Sequence, residues 1–152
     1  MGNSIIKTHA LTKSYGETRA ITNIELTVRE GEVFGYLGPN GAGKTTTIRI
    51  LLDLIRATSG SASIFGLDTR NSAQKVQAKI GYLPSDVVLY ENLTGKELLK
   101  YLSNLREVVG WNYVTKLADR LECDLSLRIN TLSRGNKQKI GLIQSLMHQP
   151  EL

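Results

Sequence analysis

The feature that most limits what this chain can fold into is Gly38-Pro39-Asn40-Gly41-Ala42-Gly43-Lys44-Thr45, a match to the pattern G-x-x-x-x-G-K-[ST]. Its flanks supply the context the pattern needs. The preceding run Glu32-Val33-Phe34-Gly35-Tyr36-Leu37 is apolar on both faces and predicts a strand buried in a parallel sheet. After Lys44, the residues Ile48, Leu51, Leu52 and Ile55 recur at helical spacing and predict an amphipathic helix that stops by Ser59-Gly60. Glycines at such a strand-to-helix turn let the backbone curl so that N–H groups point inward, and the positive end of the helix dipole faces the same point. The expected guest is a phosphate chain, with Lys44 reaching the β- and γ-phosphates and the Thr45 hydroxyl on Mg²⁺.

Composition narrows the remaining classes. The 152 residues carry 19 Lys and Arg against 14 Asp and Glu, a net charge of +5, but the basic residues are spread among acids and only Arg134, Lys137 and Lys139 cluster. A nucleic-acid partner is therefore not expected. One cysteine, Cys123, excludes an internal disulfide and a cysteine zinc cluster and fits a reducing compartment. No apolar run approaches the 18 or so residues of a membrane span, since Ile50 to Ile55 is broken by Asp53. With no hydrophobic leader segment, the cytoplasm is the expected location.

The rest of the chain reads as a strand-rich part of about 85 residues followed by helices. Ile5 to Leu11, Ile21 to Val28 and Ala62 to Phe65 predict short strands, the second with Ile24, Leu26 and Val28 alternating against Glu25 and Thr27. A weak helix is expected around Ser72 to Ala78, then a strand Lys79 to Leu83 closed by Pro84. Thr94 and Glu97 have capping-box spacing, with Leu98, Leu102 and Leu105 on one face of the helix they start. Further helices are expected from about Asn112 to Leu121 and from near Ser133 to before Pro150. Two other stretches carry chemistry. Tyr15 ends the first strand, where its ring either packs or stacks on a base. Ser133 opens the last helix, either as a simple N-cap or, with Gly135 and nearby cations, as an anion site.

Taken in order, the strand-end Tyr15, Gly38 to Thr46, Ile80-Gly81-Tyr82-Leu83-Pro84 before a helical insert, and Leu132-Ser133-Arg134-Gly135-Asn136-Lys137-Gln138-Lys139 closely resemble the ATP-binding cassette (ABC) transporter ATPases, nearest to bacterial subunits that pair with separately encoded permeases. The resemblance implies an α/β fold with a P-loop NTPase core, an N-terminal antiparallel β portion and a helical subdomain, the core sheet being incomplete at the C-terminus. It divides residues 1–152 into an ATP-binding core of about 1–85, a helical subdomain of about 86–134 that faces the permease, and a signature helix of about 135–152. It implies ATP and Mg²⁺ as cofactors, bound by Tyr15 on the adenine, by Gly38, Asn40, Gly41, Ala42, Gly43, Lys44, Thr45 and Thr46 on the phosphates, and by Ser133 and Gly135 on the γ-phosphate held by a second cassette subunit. Thr45 would be the metal ligand. The implied protein is peripheral at the inner face of the cell membrane and drives transport, in the exporting direction, through a permease subunit.

Departures from the family pattern temper the expected chemistry. Ser85 stands where the family has Gln, and Leu132-Ser133-Arg134-Gly135-Asn136 replaces Leu-Ser-Gly-Gly-Gln. The family's acidic strand with its catalytic Glu is not found in this sequence, and neither His9 nor His148 lies where the switch histidine would. No catalytic residue is assigned, and the chain alone is expected to bind ATP weakly without hydrolysing it. A noncatalytic binding or assembly module, or a small P-loop kinase, are the alternative readings.

Overall fold

In the computed structural model, which describes residues 3–106 and 110–152, the chain divides into two compact units, Met1–Ala78 and Lys79–Leu152. The first unit opens with a long hairpin. β1 (Ser4–Tyr15) and β2 (Thr18–Arg29) pair antiparallel through a two-residue turn in which Gly16 has φ +58°. Strands this long need to bend, and they do so at a shared irregularity. Ala10 in β1 and Asn23 in β2 take positive φ, and the register shifts between Thr8 and Leu11. Polar groups freed there are met locally: the Ala10 N–H donates to Glu25 Oε1 at 2.7 Å, and the Asn23 N–H donates to Thr12 Oγ1 at 3.0 Å.

After α1 (Lys44–Leu51), β3 (Ser59–Ile64) and β4 (Leu67–Asp68) complete a four-stranded sheet in the order β2-β1-β3-β4, with every pairing antiparallel. A short α2 (Ala73–Gln77) follows. The core of this unit is Leu11, Ile21, Val28, Ile50, Leu51, Ala62, Ile64 and Val76. Buried Thr8 fits because its hydroxyl donates to Ile24 O and accepts from the Leu26 N–H.

The second unit is helical: α3 (Gly95–Arg106), α4 (Trp111–Arg120), a 3₁₀ turn (Ile129–Thr131) and α5 (Arg134–Leu146). Leu99, Val114, Ala118, Ile143 and Met147 form one cluster and Leu98, Ile129 and Ile140 another. The capping box is present. The Thr94 N–H donates to Glu97 Oε2 at 2.8 Å and the Glu97 N–H to Thr94 Oγ1 at 3.2 Å.

Four sequence expectations are corrected. Glu32 to Leu37 lies in no strand, and Val33 and Leu37 are almost wholly exposed, because among the described residues nothing pairs with this segment on either edge. Lys79 to Pro84 is likewise no strand. Its backbone bonds run from Gly81 N–H to Leu152 O and from the Glu151 and Leu152 N–H groups to Lys79 O, too few for a ladder. α1 stops at Leu51 rather than continuing to Ile55. Asp53 takes φ +55°, its N–H bonds Ile50 O, and the Leu54 N–H reaches back to Arg49 O at 2.8 Å, a closed C-terminal motif made with Asp in the usual glycine position. The buried face of α1 is Thr47, Ile50 and Leu51, leaving Ile48 partly exposed, and on α3 the buried partner of Leu98 is Leu99 while Leu105, past the packed turns, is 63% exposed.

Candidate functional site

The loop 38–43 ends on Gly43, which caps α1 in the left-handed conformation at φ 84°, ψ 6°, with no side chain capping the helix. Only glycine fits there. A Cβ on Gly43 would run into the Ile21 side chain and stand 2.6 Å from the Ala20 carbonyl oxygen of β2. Gly41 also has φ +84°, in open space, so its requirement is conformational rather than steric. The Ala42 N–H turns inward onto Pro39 O at 3.2 Å, which tightens the loop.

Helix geometry leaves the N–H groups of Lys44, Thr45 and Thr46 without an intrahelical acceptor, whereas the Thr47 N–H already bonds Gly43 O at 2.9 Å. No acidic residue occupies the first turn of α1. Three donors and the positive end of the helix dipole therefore converge where an anion is favoured. Lys44 lies at the same place: its ammonium donates to Gly38 O at 2.6 Å and Pro39 O at 2.7 Å, folding over the mouth of the loop. Asn40 is exposed on the loop and Thr45 on the outer face of the first turn.

Beneath the loop sits a residue that apolar patterning passes over. Thr47 is fully buried, its hydroxyl donates to Gly43 O at 3.1 Å and meets the Tyr36 hydroxyl at 3.3 Å. Its signal is present in the Thr45-Thr46-Thr47 run, but apolar periodicity alone points to Ile48 instead. Tyr15 stands at the end of β1, 52% exposed, with the Lys13 ammonium 4.9 Å from its ring centroid.

In the second unit, Ser133 caps α5, its Oγ accepting from the Asn136 N–H at 3.3 Å. Gly135 is exposed in the first turn with room for a Cβ. Two ion pairs tie this helix start to the segment after Ser85: Arg134 to Asp86 at 3.6 Å and Lys137 to Glu91 at 2.6 Å. Ser85, Asp86, Val87, Leu132, Arg134, Lys137 and Gln138 line a cleft of about 260 Å³ there. Cys123 is half-buried and burial pushes its thiol up, which makes it a poor nucleophile.

The donor set suits phosphate oxygens better than a resident metal. Among the described residues no group of three or more His, Cys, Asp or Glu converges as a metal site. Mg²⁺ takes most of its octahedral shell from water and phosphate oxygens, so a nucleotide-bound Mg²⁺ would ask for few protein ligands, and the exposed Thr45 hydroxyl is one this loop could offer.

Known proteins resemble this chain over nearly its whole length. The ABC transporter family profile matches residues 21–152. The bacitracin transport ATP-binding protein BcrA of Bacillus licheniformis is 36% identical over 99% of this chain and 50% of its own length. The probable multidrug ABC transporter ATP-binding protein YbhF of Escherichia coli is 35% identical over 99% of this chain and 27% of its own length. The chain thus spans about half or less of these curated relatives. A solved ATP-binding subunit of an ABC transporter, 28% identical, superposes with a TM-score of 0.84 over 96% of this chain and 63% of its own. A dimeric ATP-binding cassette bound to ADP and Pi superposes at 0.83 over 95% of this chain and 70% of its own; at 24% identity it speaks for the fold alone. The fold is accordingly the α/β P-loop NTPase fold of ABC ATPases. With its profile match, its phosphate loop and its relatives, this chain belongs to the ABC transporter family, among the ATP-binding proteins.

Proposed function

We propose that this chain is the ATP-binding part of a subunit that couples ATP binding and hydrolysis to export through a separate membrane permease. The observation that carries the reading is the start of α1: a left-handed glycine cap without a side-chain cap, three convergent N–H groups, and the Lys44 ammonium over the loop. On ATP, Lys44 exchanges the Gly38 and Pro39 carbonyls for the β- and γ-phosphates. Gly38, Asn40, Gly41, Ala42, Gly43 and Thr46 line the phosphates, Thr45 binds Mg²⁺ and Tyr15 stacks on adenine. When bound, Mg²⁺ neutralises phosphate charge.

The signature start at Ser133 and Gly135 serves the γ-phosphate of a second cassette subunit, and the helical stretch of about 86–134 faces the permease, with about 1–85 as the ATP-binding core and about 135–152 as the signature helix returning to the core. Export is favoured by the names of relatives that handle bacitracin, multiple drugs and linearmycin. No helix among the described residues is long and apolar enough to cross a membrane, which suits a subunit peripheral to the cytoplasmic face. By itself the chain binds ATP weakly and does not turn it over, since phosphoryl transfer needs the metal held on two sides and an oriented water, and Thr45 is the one such group in this loop.

Calorimetric titration of the chain and of Lys44→Ala with Mg-ATP tests the reading. A charge-assisted bond is worth roughly 1.5–3 kcal/mol, so the variant should lose about tenfold or more in affinity. Equal affinities would overturn it.

A further inference from the structure

Lys13 and Tyr15 are two residues apart on β1 and so project from the same face of the strand, where the Lys13 ammonium lies over the Tyr15 ring at 4.9 Å from its centroid. This strand end is held firmly. Lys13 pairs with Ile21 and Tyr15 with Thr18 on β2, while on the other edge the Thr58 N–H donates to Thr12 O at 2.8 Å and the Ser14 N–H donates to Thr58 Oγ1 at 3.0 Å. A half-exposed tyrosine at a strand end would otherwise sample several rotamers. Lys13 removes that freedom in a directed way, because a cation is attracted to the face of an aromatic ring and not to its edge.

From this we infer that Lys13 is a positioning residue for base recognition: its ammonium holds one face of Tyr15 and presents the opposite face to a purine base. The inference rests on the proposed role of Tyr15 as the adenine platform and adds to it. The cation draws electron density from the ring, and an electron-poor ring is the better stacking partner for an electron-rich purine. The base is then the outer layer of a lysine–tyrosine–purine stack, and the aliphatic stem of Lys13 alone does not suffice, since methylenes carry no charge to orient the ring.

The test compares Mg-ATP with inorganic tripolyphosphate, which offers the phosphates without a base, by calorimetry on the intact chain. Lys13→Met keeps the stem and removes the charge, Lys13→Arg keeps the charge, and Tyr15→Ala removes the platform. A cation–π contact at an exposed site corresponds to about a two- to fivefold effect. Lys13→Met should weaken ATP by that factor and leave tripolyphosphate unchanged, and Lys13→Arg should restore ATP binding. Equal losses for both ligands would place Lys13 on the phosphates or the fold, and no loss for either would make the contact idle; each overturns the inference. If Tyr15→Ala leaves the ratio of ATP to tripolyphosphate affinity unchanged, the adenine platform itself falls. Loss on Tyr15→Ala without loss on Lys13→Met removes only the role given to Lys13.

Discussion

α1 and α5 both have a glycine at the cap or in the first turn and basic residues close by, yet their first turns are finished in opposite ways. At α1 the cap is Gly43, which has no side chain to offer, and the first turn holds no acid. At α5 the cap is Ser133, whose hydroxyl takes the Asn136 N–H, and the cations Arg134 and Lys137 are already paired with Asp86 and Glu91. An end closed by its own chain is stable without a guest. Gly43 is wedged against β2, whereas a Cβ on Gly135 would meet only Ser133 Oγ at 3.9 Å. The difference separates a helix start whose donors are left open from one whose first turn is partly met by its own serine.

The sharpest way to break this contrast is to add one methyl group at each glycine. At Gly43 the new Cβ meets Ile21 and the Ala20 carbonyl in a left-handed conformation, so strain and overpacking combine. Each costs about 1–3 kcal/mol, and Gly43→Ala should lose roughly 2–6 kcal/mol in a urea melt. That is a large share of the roughly 5–15 kcal/mol available to a domain. Similar melts for Gly43→Ala and the unaltered chain would show that the loop tolerates a side chain, and the argument from packing would fail.

Two smaller effects are expected at α5. Ser133→Ala removes the cap and should destabilise by about 1 kcal/mol, the usual worth of an N-cap hydroxyl. Gly135→Ala places a better helix former where its Cβ meets only Ser133 Oγ at an ordinary 3.9 Å, and should stabilise by about 0.5–1 kcal/mol. Opposite signs within one helical turn, read as shifts in the same chemical denaturation midpoint, are the expected outcome. A loss at Gly135 would mean that this glycine, too, is required by its surroundings.

How much of the molecule is legible in its sequence depends on how far the deciding contacts reach. The helix starts at Lys44, Thr94 and Ser133 are legible because each is decided within four residues: a glycine turn, a Thr-x-x-Glu box and a serine cap. The alternation of Ile24, Leu26 and Val28 likewise marks a strand with one wet face, because a neighbouring strand lies nearby in sequence. Glu32 to Leu37 has the composition of a buried parallel strand, but parallel pairing comes from partners distant in sequence, and none pairs with it among the described residues. At the candidate site the loop residues are evident from spacing, whereas Thr47 and Lys13 are not. Thr47 is polar yet buried because its hydroxyl bonds Gly43 O, and Lys13 matters only through the ring two residues on.

The start of α3 gives the finest adjustment of the comparison, because there the chain supplies its own anion to a helix N-terminus. The Thr94 backbone N–H first, then its hydroxyl, bonds the Glu97 carboxylate, and together they hold Glu97 below the usual carboxylate range, with a lesser contribution from Arg128. A carboxyl whose folded pKa lies below its unfolded value stabilises the fold when ionised. Its contribution is present in full above the unfolded value of about 4.3 and is lost as pH falls through the folded value. Glu97→Gln keeps the shape and removes the charge, so the unaltered chain should be the more stable by a constant margin from pH 7 down to about 5. Below about 4.3 that margin should shrink as the carboxylate protonates. Urea midpoints of both chains measured across this range provide the check. Because Glu97 is fully exposed, the margin should be smaller than the effects at Gly43, Ser133 and Gly135 and should also narrow in high salt. Equal midpoints for the two chains at pH 7 would show that shape, not charge, closes this helix end. The α1 start would then differ from α3 only in lacking a side chain, and not in reserving its dipole for an anion from outside.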